Sequence, residues 1–138
     1  MGIWDQYKTD QSLEESGVWK PFGDYQVKIA RAGVGNPRYE QALERHAKSA
    51  RHRKMSVAEM QAISLDMLVT HCVKGWKTKV DGEWEDGIEL ADGSIVPATR
   101  EVLLQVFEQI PNLREAIQRI ADDYEEFKAE EREEAAGN

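Results

Sequence analysis

Gly17-Val18-Trp19-Lys20-Pro21-Phe22-Gly23-Asp24-Tyr25-Gln26-Val27-Lys28-Ile29-Ala30-Arg31-Ala32-Gly33, closed by Asn36-Pro37, is the stretch that decides the fold. Two short apolar-rich runs flank Gly23-Asp24, a dipeptide suited to a type II′ turn with glycine at the φ > 0 position, so a two-stranded hairpin is predicted. The second run alternates. Tyr25, Val27 and Ile29 face one way and Gln26, Lys28 and Ala30 the other, which requires another part of the chain to cover one side. No nucleophile and no metal set lies in the stretch, so it specifies structure and no chemistry.

Upstream, residues 1–16 are polar, with Ile3, Trp4, Tyr7 and Leu13 as apolar anchors, and read as an extended arm. Downstream, Gly33-Val34-Gly35 is a joint. Asn36-Pro37 is a helix start, Asn capping free amides and Pro standing at the first helical position, for a helix running to about Lys54. Its stripe of Tyr39, Ala42, Leu43, Ala47 and Ala50 is narrow and built of small residues, and Glu44 is placed to pair with Lys48. Ser56-Val57-Ala58-Glu59 is a capping box opening a second helix. Leu65, Met67, Leu68, Val69, Cys72, Val73 and Trp76 make that helix apolar nearly all round, as a central buried helix would be, with Gly75 as terminator. Lys77 to Asp92 reads as a polar segment with turns at Asp81-Gly82 and Asp86-Gly87. Within it, Ile88–Ala91 and Ser94–Val96 flank Asp92-Gly93, a second hairpin signal of the type I′ kind.

Thr99 caps a third helix with Val102, Leu103, Val106, Phe107 and Ile110 on one buried face, stopped by Pro111. Asn112-Leu113-Arg114-Glu115 opens a fourth, with Leu113, Ile117, Ile120, Tyr124 and Phe127 in a stripe. The expected class is therefore α+β, mainly α-helical: about four helices, an N-terminal β-hairpin and a second short hairpin near residues 88–96. Residues 17–127 are expected to form a single globular domain between the polar arm 1–16 and an acidic, frayed or disordered tail, 128–138.

Composition narrows the function classes. With 138 residues, 41% hydrophobic and 32% charged, the chain is apolar enough to fold and long enough for one core. A net charge of −8 and a pI near 4.9 argue against nucleic acid as partner. One cysteine, Cys72, leaves no internal disulfide and fits a reducing cytoplasm. No apolar run approaches the ~20 residues of a membrane helix, and Met-Gly-Ile-Trp-Asp-Gln does not start like a secretory signal, so neither export nor membrane insertion is expected.

Candidate sites are sparse. The basic run Arg45 to Lys54, with Arg45, Lys48 and Arg51 foremost, either grips an acidic partner or complements the negative end of its own helix. The acidic run from Asp122, including Glu130, Glu131, Glu133 and Glu134, is either an interaction tail or a solvated helix end. His46, His52, His71 and Cys72 have no CxxC or HxxxH spacing, and no metal or cofactor is expected. There is no serine elbow, Walker loop or GxGxxG, and the carboxylates lie in exposed runs, so the chain is expected not to be an enzyme. Trp19 and Trp76 are expected in the core. Trp4 and Trp84 lie in polar contexts and are candidate partner anchors, or pack the arm onto the domain.

Taken together, Tyr7-Lys8-Thr9-Asp10, Leu13-Glu14, Gly17-Val18-Trp19 and Val27-Lys28-Ile29-Ala30-Arg31-Ala32-Gly33 with Asn36 and Tyr39 resemble the tail assembly chaperones of long-tailed bacteriophages. The resemblance continues more loosely through Gly75-Trp76, Pro97 to Phe107, Ile110-Pro111-Asn112-Leu113 and Ala121 to Phe127. It implies a non-enzymatic protein of the host cytoplasm that binds the long tape-measure protein during virion assembly while tail-tube subunits are recruited, with homo-oligomerisation left open. The alternatives are a structural tail or neck adaptor of the virion and a small phage regulator that binds a host protein.

Overall fold

The computed structural model describes residues 2–128. The hairpin forms as the sequence requires. Strand β1 (Val18–Pro21) pairs antiparallel with β2 (Tyr25–Ile29), Val18 opposite Ile29 and Pro21 opposite Gln26. Gly23 sits at φ 89° while Asp24 keeps an ordinary φ, the asymmetry of a type II′ turn.

Helix α4 (Val57–His71) follows the capping box: the Ser56 hydroxyl oxygen accepts from the Glu59 amide at 3.1 Å. It ends five residues before the expected Trp76. From Val73 the chain becomes strand β3 (Val73–Val80), which returns as β4 (Glu83–Asp86) through Asp81-Gly82, both at positive φ (51° and 84°) in the manner of a type I′ turn. The polar segment is thus half of a four-stranded antiparallel sheet, ordered β1-β2-β3-β4. The apolar density from Leu65 to Trp76 belongs to a buried helix and then to a buried strand, which composition alone does not separate. The second hairpin is present as β5 (Ile88–Glu89) and β6 (Ile95–Val96). Its turn is of another kind: the Gly93 amide donates to the Leu90 carbonyl at 2.9 Å, only Gly93 has positive φ (88°), and Leu90 then donates to Ser94 at 2.9 Å, a type I turn with a glycine bulge.

Helix α3 (Pro37–Ala50) is shorter than expected and buries only Ala42. Helix α5 (Arg100–Gln109) is capped by Thr99, whose hydroxyl accepts from Val102. Pro111 ends the preceding helix as expected, with Ile110 non-helical (φ −126°, ψ 76°), and itself occupies the first position of helix α6 (Pro111–Asp122), so Asn112 is already inside that helix instead of capping it. Asp123 then caps a 3-10 turn, Tyr124–Phe127, that buries Phe127. The polar arm is two short helices, α1 (Ile3–Tyr7) and α2 (Gln11–Ser16). Asp10 caps α2, and its amide donates to the Phe127 carbonyl at 2.8 Å. The remainder of the tail, 129–138, lies outside the described residues.

One apolar cluster joins these elements. Val27, Ile29 and Trp76 from the inner sheet face meet Leu65, Leu68 and Val69 of α4, Leu103 and Phe107 of α5, and Ile117 and Ala121 of α6. The rings of Phe22, Tyr25 and Trp76 stack in series, with centroids 5.0 and 5.7 Å apart, and Trp76 tilts onto Phe107 at 6.2 Å. Trp19 is not in this core. It opposes Lys28 and so lies on the outer face, over Gly75, where a Cβ would sit 2.8 Å from its ring, and the Lys77 ammonium lies 4.9 Å from its centroid.

Asn36 makes no cap hydrogen bond, against expectation. Its side chain is buried and donates to the Arg31 carbonyl at 2.9 Å and the His71 carbonyl at 3.2 Å, tying the start of α3 to the end of α4. Asn36→Ala leaves both carbonyls without that donor, and a loss of about 2 kcal/mol is expected. Urea unfolding checks it: the midpoint should fall with the slope unchanged.

Candidate functional site

Helix α3 packs along α4 by a thin seam. Because Ala42, Ala47 and Ala50 are small, the two helices leave a groove of about 290 Å³ between them. Tyr39, Leu43 and His46 line one wall and Met60, Ile63 and Met67 the other, with Met55 at the connecting end. Three of the chain's four methionines are in this one place. Leu43 and Met60, one on each wall, are each 51% exposed, so the groove presents an apolar opening to solvent. Leu43 also lines a shallow hollow on the other side with Pro37, Gln41 and Ala47, which makes it a ridge between two depressions.

The sequence-predicted residues fall elsewhere. Arg45 and Lys48 lie on the α3 faces turned away from positions 39, 43, 46, 47 and 50, by the 100° step of the helix, and Arg51 stands at its C-terminal cap. Lys48 is 3.8 Å from Glu44, the expected pair. Trp4 is 73% exposed on α1, whose Tyr7 leans on Tyr124 at 5.8 Å. Trp84 is 41% exposed on the outer face of β4, under the Lys79 ammonium at 5.8 Å. These side chains sit on three separate elements and form no joint site. Glu130, Glu131, Glu133 and Glu134 lie outside the described residues. Sequence reasoning missed Met55, Met60 and Met67 as a group; their spacing around one capping box was the available signal, because methionine adapts to varied partners.

Burial shifts several titratable groups. Cys72 is fully buried, with its Sγ 3.8 Å from the Arg31 carbonyl, and burial pushes its thiol up to about 12. His71, at the end of α4, is shifted below its ordinary value, first by burial and then by the nearby cations Lys74, Arg45 and Arg38, and is neutral at pH 7. Tyr39 in the groove is shifted upward, chiefly by burial. Among the described residues, no three His, Cys, Asp or Glu side chains are close enough to hold a metal ion, and no helix is long and apolar enough to cross a membrane.

A raised thiol pKa favours the protonated, unreactive form in the folded state at every pH below it. Native Cys72 should therefore resist a thiol-specific reagent at pH 8, where a free cysteine of pKa ~8.5 reacts readily, and label fully once urea unfolds the chain. Fast labelling in native buffer would contradict the burial.

A family model described as YdaY prophage protein matches residues 34–138, which take in α3, the groove and everything after them. No curated protein and no solved structure matches the chain.

Proposed function

The chain belongs to the YdaY prophage protein family, which makes it phage-derived, and we propose that it is a non-enzymatic tail assembly chaperone that holds helical segments of the phage tape-measure protein in the α3–α4 groove. The observation that carries this reading is the methionine-lined opening with Leu43 and Met60 half exposed on its two walls. An amphipathic helix lays its apolar face into such a groove, reading i, i+3 and i+4 positions. Flexible, polarizable thioethers adapt to many such faces, which suits a client presenting one helical segment after another. The groove is small, so each engagement is weak and reversible, as a chaperone that leaves before the particle matures requires. The resemblance over residues 7–39 adds to this reading. The net charge of −8, with Glu130, Glu131, Glu133 and Glu134 contributing, keeps a complex with an apolar client in solution in the host cytoplasm.

Co-expression with the tape-measure protein of the same prophage tests it. The wild-type chain should co-purify with that protein and raise its soluble fraction. The double variant Leu43→Glu, Met60→Glu, altered at exposed positions, should weaken capture by about tenfold or more, ~1.4 kcal/mol. A client equally insoluble with and without the chain, or stoichiometric presence of the chain in purified particles, removes the reading.

A further inference from the structure

A second opening shares no residue with the α3–α4 groove. It lies between the inner sheet face and the corner where α5 meets α6 and encloses about 300 Å³, at the small end of ligand pockets and sized for a side chain. Tyr25 and Trp76, with ring planes 6° apart, form one wall; Val106, Ile110 and Leu113 form the other. Thr78 and Ile88 also line it, together with the exposed Asp24 and Glu89, neither of which pairs with a cation among the described residues. Ile110 is 48% exposed, although its spacing on α5 marks it for burial.

The surroundings are acidic. Residues 80–99 contain Asp81, Glu83, Glu85, Asp86, Glu89 and Asp92 and no Lys, Arg or His. Lys77 and Lys79 are turned to the opposite sheet face over Trp19 and Trp84, while Arg100, which follows this segment, pairs with Asp66, and Arg114, beside Leu113, donates to the Gln61 carbonyl. We infer that this cleft takes an arginine or lysine side chain from a basic helical protein partner. The apolar walls pack its methylene stem, and the unpaired carboxylates of Asp24 and Glu89 meet the cationic head. An uncharged apolar anchor would use the walls and leave Asp24 and Glu89 desolvated without a partner.

The test uses the full chain and a labelled helical peptide of alanine, leucine and arginine, followed by fluorescence anisotropy. Two comparison peptides replace every arginine by citrulline, its neutral isostere, or by leucine. The arginine peptide should bind about tenfold more tightly than either. Asp24→Asn with Glu89→Gln should remove most of that preference, while Glu83→Gln with Asp86→Asn, the same charge change away from the cleft, should alter it by less than about twofold. Equal binding of arginine and citrulline peptides, preference for the leucine peptide, or equal losses in the two double variants would each overturn the inference. So would sedimentation showing a wild-type dimer that Asp24→Asn with Glu89→Gln dissolves, because the occupant would then be a second copy. The comparison peptides act on unaltered protein, so the result stands whether or not a variant folds. It is also independent of the α3–α4 groove: Leu43→Glu with Met60→Glu should leave arginine-peptide binding unchanged.

Discussion

Everything in this structure depends on how the irregular passage 30–36 satisfies its backbone. A buried segment without regular partners must find an acceptor for each amide. Here successive amides go to three different places: Ala30 to the Cys72 carbonyl at 2.7 Å, Arg31 to Glu14 at 2.9 Å and Ala32 to Ala121 at 2.8 Å. The Arg31 side chain repeats the pattern, donating to the Ala121 carbonyl at 3.3 Å and standing 3.6 Å from the buried Glu14 carboxylate, which Thr9 also engages at 2.6 Å. Gly35, at φ 106°, is where the backbone passes against that carboxylate, and a Cβ there would collide with it. The end of the hairpin, the N-terminal helices, the end of α4 and the end of α6 are thereby fastened at one point. Hydrogen bonds of this kind contribute about 1 kcal/mol each net, but leaving one unmade in a buried site costs more, so the junction is held as a set.

That junction divides the molecule. On one side, the sheet's inner face, α4, α5 and α6 share a packed core with aromatic rings in series. On the other, α3 departs with little of its own surface covered. The sheet's free edges are defended. Strand β4 ends the sheet with Glu83, Glu85 and Asp86, charges that discourage another strand from pairing. At the opposite edge, Lys20 of β1 pairs with Glu126 of the 3-10 turn, and Pro21 lacks an amide to offer. Association by strand addition is thus disfavoured, and of the two apolar openings one lies between helices and the other between the inner sheet face and the α5–α6 corner.

Much of the fold was legible because local signals and tertiary demand coincided. Gly23-Asp24 with alternating flanks, Ser56 with Glu59, and Thr99 before Val102 each fixed an element correctly through backbone chemistry that no distant contact overrides. The failure at Val73–Trp76 has a different origin. A buried helix and the buried strand after it both read as unbroken apolar sequence, and the deciding signal, Asp81-Gly82 with both residues at positive φ, was read as a turn without the strands it joins. Asn36 was misread because its side chain serves carbonyls at Arg31 and His71, the latter 35 residues away, which a cap pattern does not encode. The site was less legible still. Charged and aromatic residues drew the eye, yet Trp4, Trp84 and Arg45 are scattered, whereas Leu43, Met60 and Met67 became a groove only when α3 folded back on α4.

Helix α3 is anchored at its base by Asn36 and along its length by the buried Ala42 and the half-buried Tyr39. Elements with few buried apolar contacts belong to the low-stability end of a fold, where local opening precedes global unfolding. The pair is held at both ends, by Asn36 at one and by the chain connection at Met55 at the other, and is thin only along the seam between them.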